Sequence, residues 1–378
     1  MRLLIAADIF PPESGGPATY AVTLANELWK QGVAVKIVSL NPNSDQSKVQ
    51  CAVYKVKSHH KFLRYFEYLF LLLKQVTTSD VVYAMGPVNA GLPALVAARL
   101  MGKKFVVKVV GDYAWEQGVA RWGVADTVDD FQNKNNYSFL VRTLKLVESF
   151  VVSKADAVLV PCVYLKNIVV GWGASLEKVA VVYNSLPREK VVPASKKSGE
   201  QWLVTAARLV PWKGMAVLIN IMSELKSRYP HLKLKIIGDG PERVRLERLI
   251  MEKCLTGEVE IWGNLSHEKT LSYISSADLF VLNSGYEGLS HVLLEALSLG
   301  RPVLASRAGG NPEIIMSGER SDLFEYNNQE EILAKIIKVL DEDQVNKEKV
   351  GGVNALAKFD IDEMVAKTKE ILANICAN

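Results

Sequence analysis

Two doubly wound α/β domains are what this sequence predicts, and three observations carry the prediction. Short apolar runs alternate with helical patterns up to about residue 184, as in a parallel sheet covered on both faces. From Asn184 to Gly199 the texture turns polar, with Pro187, Pro193 and the run Ser195-Lys196-Lys197-Ser198-Gly199, which reads as a linker. A second alternation then begins, and 378 residues suffice for two domains of ordinary size.

The first strand is expected over 3–7, running through Pro11-Pro12-Glu13-Ser14-Gly15-Gly16-Pro17 into a helix with Ala21, Leu24, Ala25 and Leu28 on one face. Further strands are expected at 33–40, 53–56, 81–84, 105–110, 157–160 and 179–183, with helices at 62–76, 89–101, 138–152 and 164–171. After Asp112 a loop to about Asn136, carrying Trp115, Trp122, Asp126, Asp129 and Asp130, is long enough to shape a pocket. The second half offers strands at 203–206, 234–237, 259–261, 279–282 and 303–305, each followed by a helix or loop. A last helix is expected over 361–375. The domains are therefore 1–184 and 200–359, joined by a linker at 185–199, with a cleft between their sheet ends where ligands of such folds bind.

Composition narrows the function. With 49% hydrophobic and 23% charged residues the chain is globular, and a net charge of +4 is too mild to argue for nucleic acid. The balance is uneven: residues 1–184 hold 20 Lys/Arg against 14 Asp/Glu, and residues 185–378 hold 25 against 27. The basic half is where contact with an anionic membrane is expected, in particular at Lys61, Arg64 and Lys74 beside Phe62, Phe66, Leu69 and Phe70. The greasy segment 62–73 is interrupted by Arg64 and Glu67 and is too short to span a bilayer. Cys51, Cys162, Cys254 and Cys376 have neither Cys-x-x-Cys nor zinc spacing, and the N-terminus lacks a signal-peptide layout. A cytoplasmic protein is expected, with peripheral contact at the inner face of the membrane.

The chemistry concentrates in the second half. Glu287 sits in the turn between strand 279–282 and a helix with Leu289, Val292, Leu293, Ala296 and Leu297 at helical spacing, and Glu295 lies about two turns further on. A helix start suits phosphate oxygens and carboxylates take hydroxyl protons, so the segment suits a ligand with phosphate and polyol parts. Arg208 and Lys213, five apart on the loop after strand 203–206, can both reach one diphosphate. Gly309-Gly310 precede a helix beginning near Pro312 and allow close backbone approach. Gly238-Asp239-Gly240 makes a tight turn but lacks the third glycine of a dinucleotide fingerprint, which disfavours an NAD enzyme. Asp341-Glu342-Asp343, Asp360-Ile361-Asp362 and His59-His60 read as solvated ends, caps or surface pairs.

Glu287-x7-Glu295 and Arg208-x4-Lys213-Gly214, in this order, resemble the signatures of retaining glycosyltransferases of family 4, which have the GT-B fold. The resemblance covers nearly the whole chain. It implies that the last helix, with about 360–378, crosses back onto the N-terminal domain, which binds the acceptor, while 200–359 bind the donor. The implied donor is a nucleotide-diphosphate sugar and the acceptor a glycan or lipid-linked hydroxyl, with no cofactor and no divalent metal. Arg208 and Lys213 would hold the leaving diphosphate, Glu287 the transferred sugar and Glu295 the ribose. Gly288, Leu289, Ser290 and Gly310 would approach the donor. Gly15 and Gly16 resemble the family's glycine loop, the Gly238 turn borders its nucleotide site, and Asn264 and Leu265 follow Trp262-Gly263 where backbone meets the base. Asp112 stands where many members place a histidine, and its catalytic role is carried over from that position. A nucleotide-sugar epimerase of the same fold is the alternative, with Asp112 and Glu116 as its acid/base pair.

Overall fold

A computed structural model describes residues 1–13, 15–186, 191–315, 321–342 and 354–377. The chain divides into two compact units, Met1–Ser185 with Asp360–Asn378 and Leu186–Phe359. In the first unit β1 (Arg2–Ala7), α1 (Gly16–Lys30), β2 (Ala34–Ser39) and β3 (Ala52–Lys55) come first. Then follow α2 (Lys61–Val76), β4 (Val81–Met85), α3 (Leu92–Leu100), β5 (Lys104–Lys108), α4 (Tyr113–Arg121), α5 (Val128–Asn133), α6 (Phe139–Lys154), β6 (Ala157–Val160), α7 (Val163–Gly171) and β7 (Val179–Val181). The second unit holds β8 (Gln201–Ala206), α8 (Met215–Arg228), β9 (Leu232–Ile237), α9 (Arg243–Glu252), β10 (Val259–Ile261), α10 (His267–Ser275) and β11 (Leu279–Leu282). It ends with α11 (His291–Ser298), β12 (Val303–Ser306), α12 (Asn311–Ile315), β13 (Ser321–Phe324) and α13 (Gln329–Glu342). The last helix is α14 (Ile361–Ala377).

Both sheets are parallel. The first runs β3-β2-β1-β4-β5-β6-β7 and the second β10-β9-β8-β11-β12-β13. Their strands are apolar on both faces because helices cover both, so β4 and β11 are buried along their whole length. In each sheet the order reverses once, between β1 and β4 and between β8 and β11. At such a switch point the two flanking loops diverge and leave a crevice at the carboxyl ends of the strands.

On one face of the first sheet, Leu3, Ile5, Tyr83 and Val106 share a core with Tyr20, Leu24 and Leu28 of α1 and with Met364, Val365 and Leu372 of α14. The C-terminal helix therefore does belong to the N-terminal unit, and the Tyr20 hydroxyl lies 3.3 Å from Thr368 Oγ1. Because strand side chains alternate, Leu4, Ala6, Val82 and Val107 face the other way. There α3 packs between α2 and α6.

Four local expectations change. The loop expected after Asp112 is instead α4 and α5, because Asp112 Oδ1 accepts the Trp115 amide and Thr127 Oγ1 accepts the Asp130 amide. Both are helix N-caps, and Ala114, Trp115 and Phe131 bury an apolar side that was too short to register as periodic. Residues 321–324, where no strand is expected from the sequence, pair with β12 as a parallel edge strand. The polar stretch read as a linker is partly docked on α10. Ser272 Oγ donates to Val192 O, Ala194 N to Ser272 O, and Lys196 pairs with Asp278, while residues 187–190 lie outside the described set. Finally, α11 starts four residues after Glu287, so Glu295 lies just over one turn into the helix.

Candidate active site

At the switch point of the second sheet the sequence builds a tightly locked set of loops. The loop after β8 runs beside the loop after β9: Ala207 N donates to Ile237 O, Leu209 N to Asp239 O, and Glu242 N to Leu209 O. Such an approach excludes a side chain at Gly238, whose φ is +131° and whose added Cβ would overlap the Ala207 carbonyl oxygen. On the other side Asn283 Nδ2 donates to Gly214 O at 3.0 Å and Gly285 N to Trp212 O at 2.7 Å. The short 3₁₀ turn Pro211–Lys213 is thus held from both sides.

From that turn the Lys213 ammonium reaches Glu287 Oε1 at 2.6 Å, although the two residues are 74 apart in sequence. Their side chains are 14% and 13% exposed. Glu287 is itself fixed through its backbone, since its carbonyl accepts the Gly310 amide at 3.2 Å. The N–H of Gly310, a residue expected to approach the donor, is thereby donated to Glu287. The helix after it, α12, is five residues long. The Arg208 guanidinium, by contrast, is exposed and makes no hydrogen bond or ion pair among the described residues.

The remaining sequence candidates line the same edge. Ser290 caps α11 through Oγ to the Leu293 amide, with Leu289 buried and Gly288 half-buried beside it. Glu295 Oε1 lies 2.9 Å from His267 Nε2, at the start of α10. His267 carried no sequence signal, because only the packing of α10 on α11 brings it there. Gly263 bridges Gly238, and after it Asn264 is exposed and Leu265 half-buried. Trp262 packs at a tilt against Tyr273, with centroids 4.5 Å apart and the ring planes at 59°.

In the first unit Gly15 is exposed and ends the loop after β1, and Gly16 opens α1. Asp112 is 1% exposed, and its two carboxylate oxygens accept from Trp115 N and Gln132 Nε2. Burial raises its pKa, and burial together with the Asp112 charge raises that of Glu148 well above the carboxylate range. The geometry gives Asp112 the work of a cap that fixes α4. Residues the sequence reading passed over occupy the β1/β4 crevice instead. Asn89 Nδ2 donates to Asp8 Oδ2 at 3.3 Å, and the Tyr65 hydroxyl donates to Asn89 Oδ1 at 2.8 Å. Burial lifts the Asp8 pKa as well.

Residues 15–185 match the family model of the Glycosyl transferase 4-like domain, and residues 188–353 that of Glycosyl transferases group 1. The chain belongs to the group 1/family 4 glycosyltransferases. It is an enzyme of the hexosyltransferase type. Among its relatives, a phosphatidylinositol N-acetylglucosaminyltransferase subunit of Arabidopsis thaliana is 26% identical over 338 residues, 83% of this chain and 69% of that protein. Sulfoquinovosyl transferase SQD2 of the same plant is 30% identical over 306 residues, 77% of this chain and 55% of that one. The lipopolysaccharide core biosynthesis glycosyltransferase LpsD of Rhizobium meliloti is 32% identical over 190 residues, 49% and 53% of the two chains. The glycosyltransferase thus spans between about half and about two thirds of these relatives' lengths.

Among solved structures, sucrose-phosphate synthase from Thermosynechococcus elongatus superposes with a TM-score of 0.82 at 18% identity, covering 100% of both chains. Anabaena Alr3699/HepE, solved with UDP, gives 0.74 at 18% identity, over 99% and 100%. These likenesses establish the GT-B fold. The glycosyltransferase therefore carries its Lys213–Glu287 pair at the end of a parallel sheet, in the unit that matches the group 1 model.

Proposed function

We propose that this glycosyltransferase moves a hexosyl group from a nucleotide-diphosphate sugar to a hydroxyl acceptor, with retention at the anomeric carbon, in polysaccharide, lipopolysaccharide or glycolipid synthesis. The observation that carries the reading is the Lys213–Glu287 pair at the β8/β11 switch point, with the uncommitted Arg208 on the same loop. A diphosphate arriving beside Arg208 would compete for the Lys213 ammonium, and the carboxylate it releases would accept sugar hydroxyls. Glu295 would hold the ribose. As the bond from the anomeric carbon to the diphosphate breaks, negative charge gathers on the departing oxygens next to the two cations. The acceptor hydroxyl oxygen forms the new bond to the anomeric carbon and passes its proton to the departing diphosphate oxygen. The UDP and UDP-glucose complexes of Alr3699/HepE favour the same class of donor. The cationic pair supplies the stabilisation a divalent metal would otherwise give, so transfer is metal-independent in this reading.

In the first unit the Asp8–Asn89–Tyr65 crevice offers hydrogen-bonding groups for an acceptor hydroxyl. The capping of α4 by Asp112 weighs against the epimerase alternative, which would use Asp112 with Glu116 as its acid/base pair. A thermal-shift screen of nucleotide sugars tests the donor. A true donor at a hundred times its dissociation constant should add about 2.7 kcal/mol, and nucleoside diphosphate should then be released on adding acceptor. Turnover lost in EDTA and restored only by Mg²⁺ or Mn²⁺ would overturn the metal-independent mechanism. Interconversion of nucleotide sugars without acceptor would overturn transfer itself.

A further inference from the structure

Surface helices of a doubly wound domain ordinarily turn a polar stripe outward. The three helices on one side of the first unit do not. Phe62, Phe66 and Phe70 recur every fourth residue of α2, so they share a face, and they are 76%, 73% and 66% exposed. On α3, next to it, Val96 and Leu100 point outward, and on α6 Phe139, Leu146 and Phe150 do the same. Since α3 packs between α2 and α6, these residues form one apolar face rather than scattered exceptions.

The exposed charges that the three helices themselves carry have a single sign, with Arg99 paired to Asp156 just beyond the end of α6. Lys61, Lys74, Arg99, Arg142 and Lys154 are exposed on the three helices. The only carboxylates these helices carry are Glu67 and Glu148, and both turn inward. Glu67 accepts the Lys57 and Ser58 amides, and Glu148 is buried against the Tyr113 amide. An apolar face rimmed by cations, without an outward carboxylate, suits anionic headgroups over acyl chains. Two copies of it set face to face would bring like charges together.

We propose that α2, α3 and α6 dock the first unit on an anionic phospholipid bilayer. The contact is peripheral: no described helix is long and apolar enough to cross a membrane. Docking does not rest on the donor chemistry, but it bears on the acceptor. Tyr65 of α2 bonds to Asn89, which bonds to Asp8 in the β1/β4 crevice, so one helix joins the bilayer-facing surface to the hydroxyl-binding groups.

Flotation of the full chain with vesicles tests this, comparing phosphatidylcholine alone with phosphatidylcholine containing phosphatidylglycerol. The chain should float with the anionic vesicles and stay behind with the neutral ones, and added salt should release it. The triple variant Phe62→Ser, Phe66→Ser, Phe70→Ser should lower the bound fraction roughly tenfold or more. Phe139→Ser with Leu146→Ser should lower it too, which a contact through α2 alone would not produce. All five side chains are exposed, so both variants should unfold at the wild-type temperature. Equal flotation with neutral vesicles, or a triple variant that floats normally, overturns the proposal. Unchanged flotation of the α6 variant overturns the three-helix face. A concentration-dependent dimer that the triple variant abolishes, without flotation, assigns the surface to a second copy. Donor thermal shifts should be the same in every variant, so failure here is distinct from failure of the proposed transfer.

Discussion

Lys213 and Glu287 depend on each other because little water reaches either. Removing one side of such a pair leaves the other charge poorly solvated, so Lys213→Ala and Glu287→Ala should each lower unfolding stability by about 1–3 kcal/mol. Their functional effects should diverge. Lys213→Ala should weaken nucleoside diphosphate binding by roughly tenfold or more, since a charge-assisted bond is lost. Glu287→Ala frees the ammonium, so that affinity should hold or rise, while single-turnover transfer falls about a hundredfold. Calorimetry beside rapid-quench kinetics on both variants checks this; a transfer rate unchanged by Glu287→Ala would misplace the site. Lys108 is a residue of another kind. It lies in the core, with Nζ 3.4 Å from Val182 O and 3.7 Å from the Tyr20 ring centroid, and burial pushes its pKa down to about 7. The folded pKa is below the unfolded one, so between about pH 7 and 10 the unfolded chain holds a proton that the folded chain has shed. Stability should therefore rise with pH across that window, by up to about 1.4 kcal/mol per pH unit from this group. Lys108→Met should remove that slope in denaturant titrations at pH 7, 8 and 9.

Among the elements, the loops after β8, β9, β11 and β12 work by backbone contact, and two glycines make that contact possible. An added Cβ at Gly309, where φ is +56°, would overlap the Glu287 carbonyl oxygen, and one at Gly238 would overlap that of Ala207. Gly309→Ala and Gly238→Ala should each cost about 2–4 kcal/mol, whereas Gly257→Ala, with nothing within 4 Å of its Cβ, should stay within about 0.5 kcal/mol of wild type. Thermal unfolding of the three variants makes the comparison. These elements also show what could be read beforehand. The buried strands were legible because a parallel sheet needs apolar side chains on both faces, as along Leu279–Leu282. The motif residues Arg208, Lys213, Glu287 and Glu295 were legible because each follows such a strand. The Lys213–Glu287 pairing was not, since nothing local links residues 74 apart. Neither was His267, nor the Asp8–Asn89–Tyr65 set, which three separate elements assemble. A cap and a catalytic carboxylate look alike in sequence, so the capping contact of Asp112 was not legible, and α4 and α5 were hidden because capping, not periodicity, starts them.

At the scale of the whole chain, the C-terminal helix is the unusual member. Leu372 is fully buried in the first unit's core, so Leu372→Ala should destabilise that unit by about 2–5 kcal/mol. Hydrogen exchange should lose protection across residues 1–185 while residues 186–359 keep theirs; uniform loss would contradict the assignment of α14 to the first unit. The same arrangement sets an order of birth. A ribosome makes residues 186–359 before α14, so the sequence of the second unit is complete while the first still lacks the helix that shares a core with Tyr20, Leu24 and Ile5. Of the two units the one begun first is the one completed last, and until α14 emerges its apolar face stays open to chaperones and to other nascent chains.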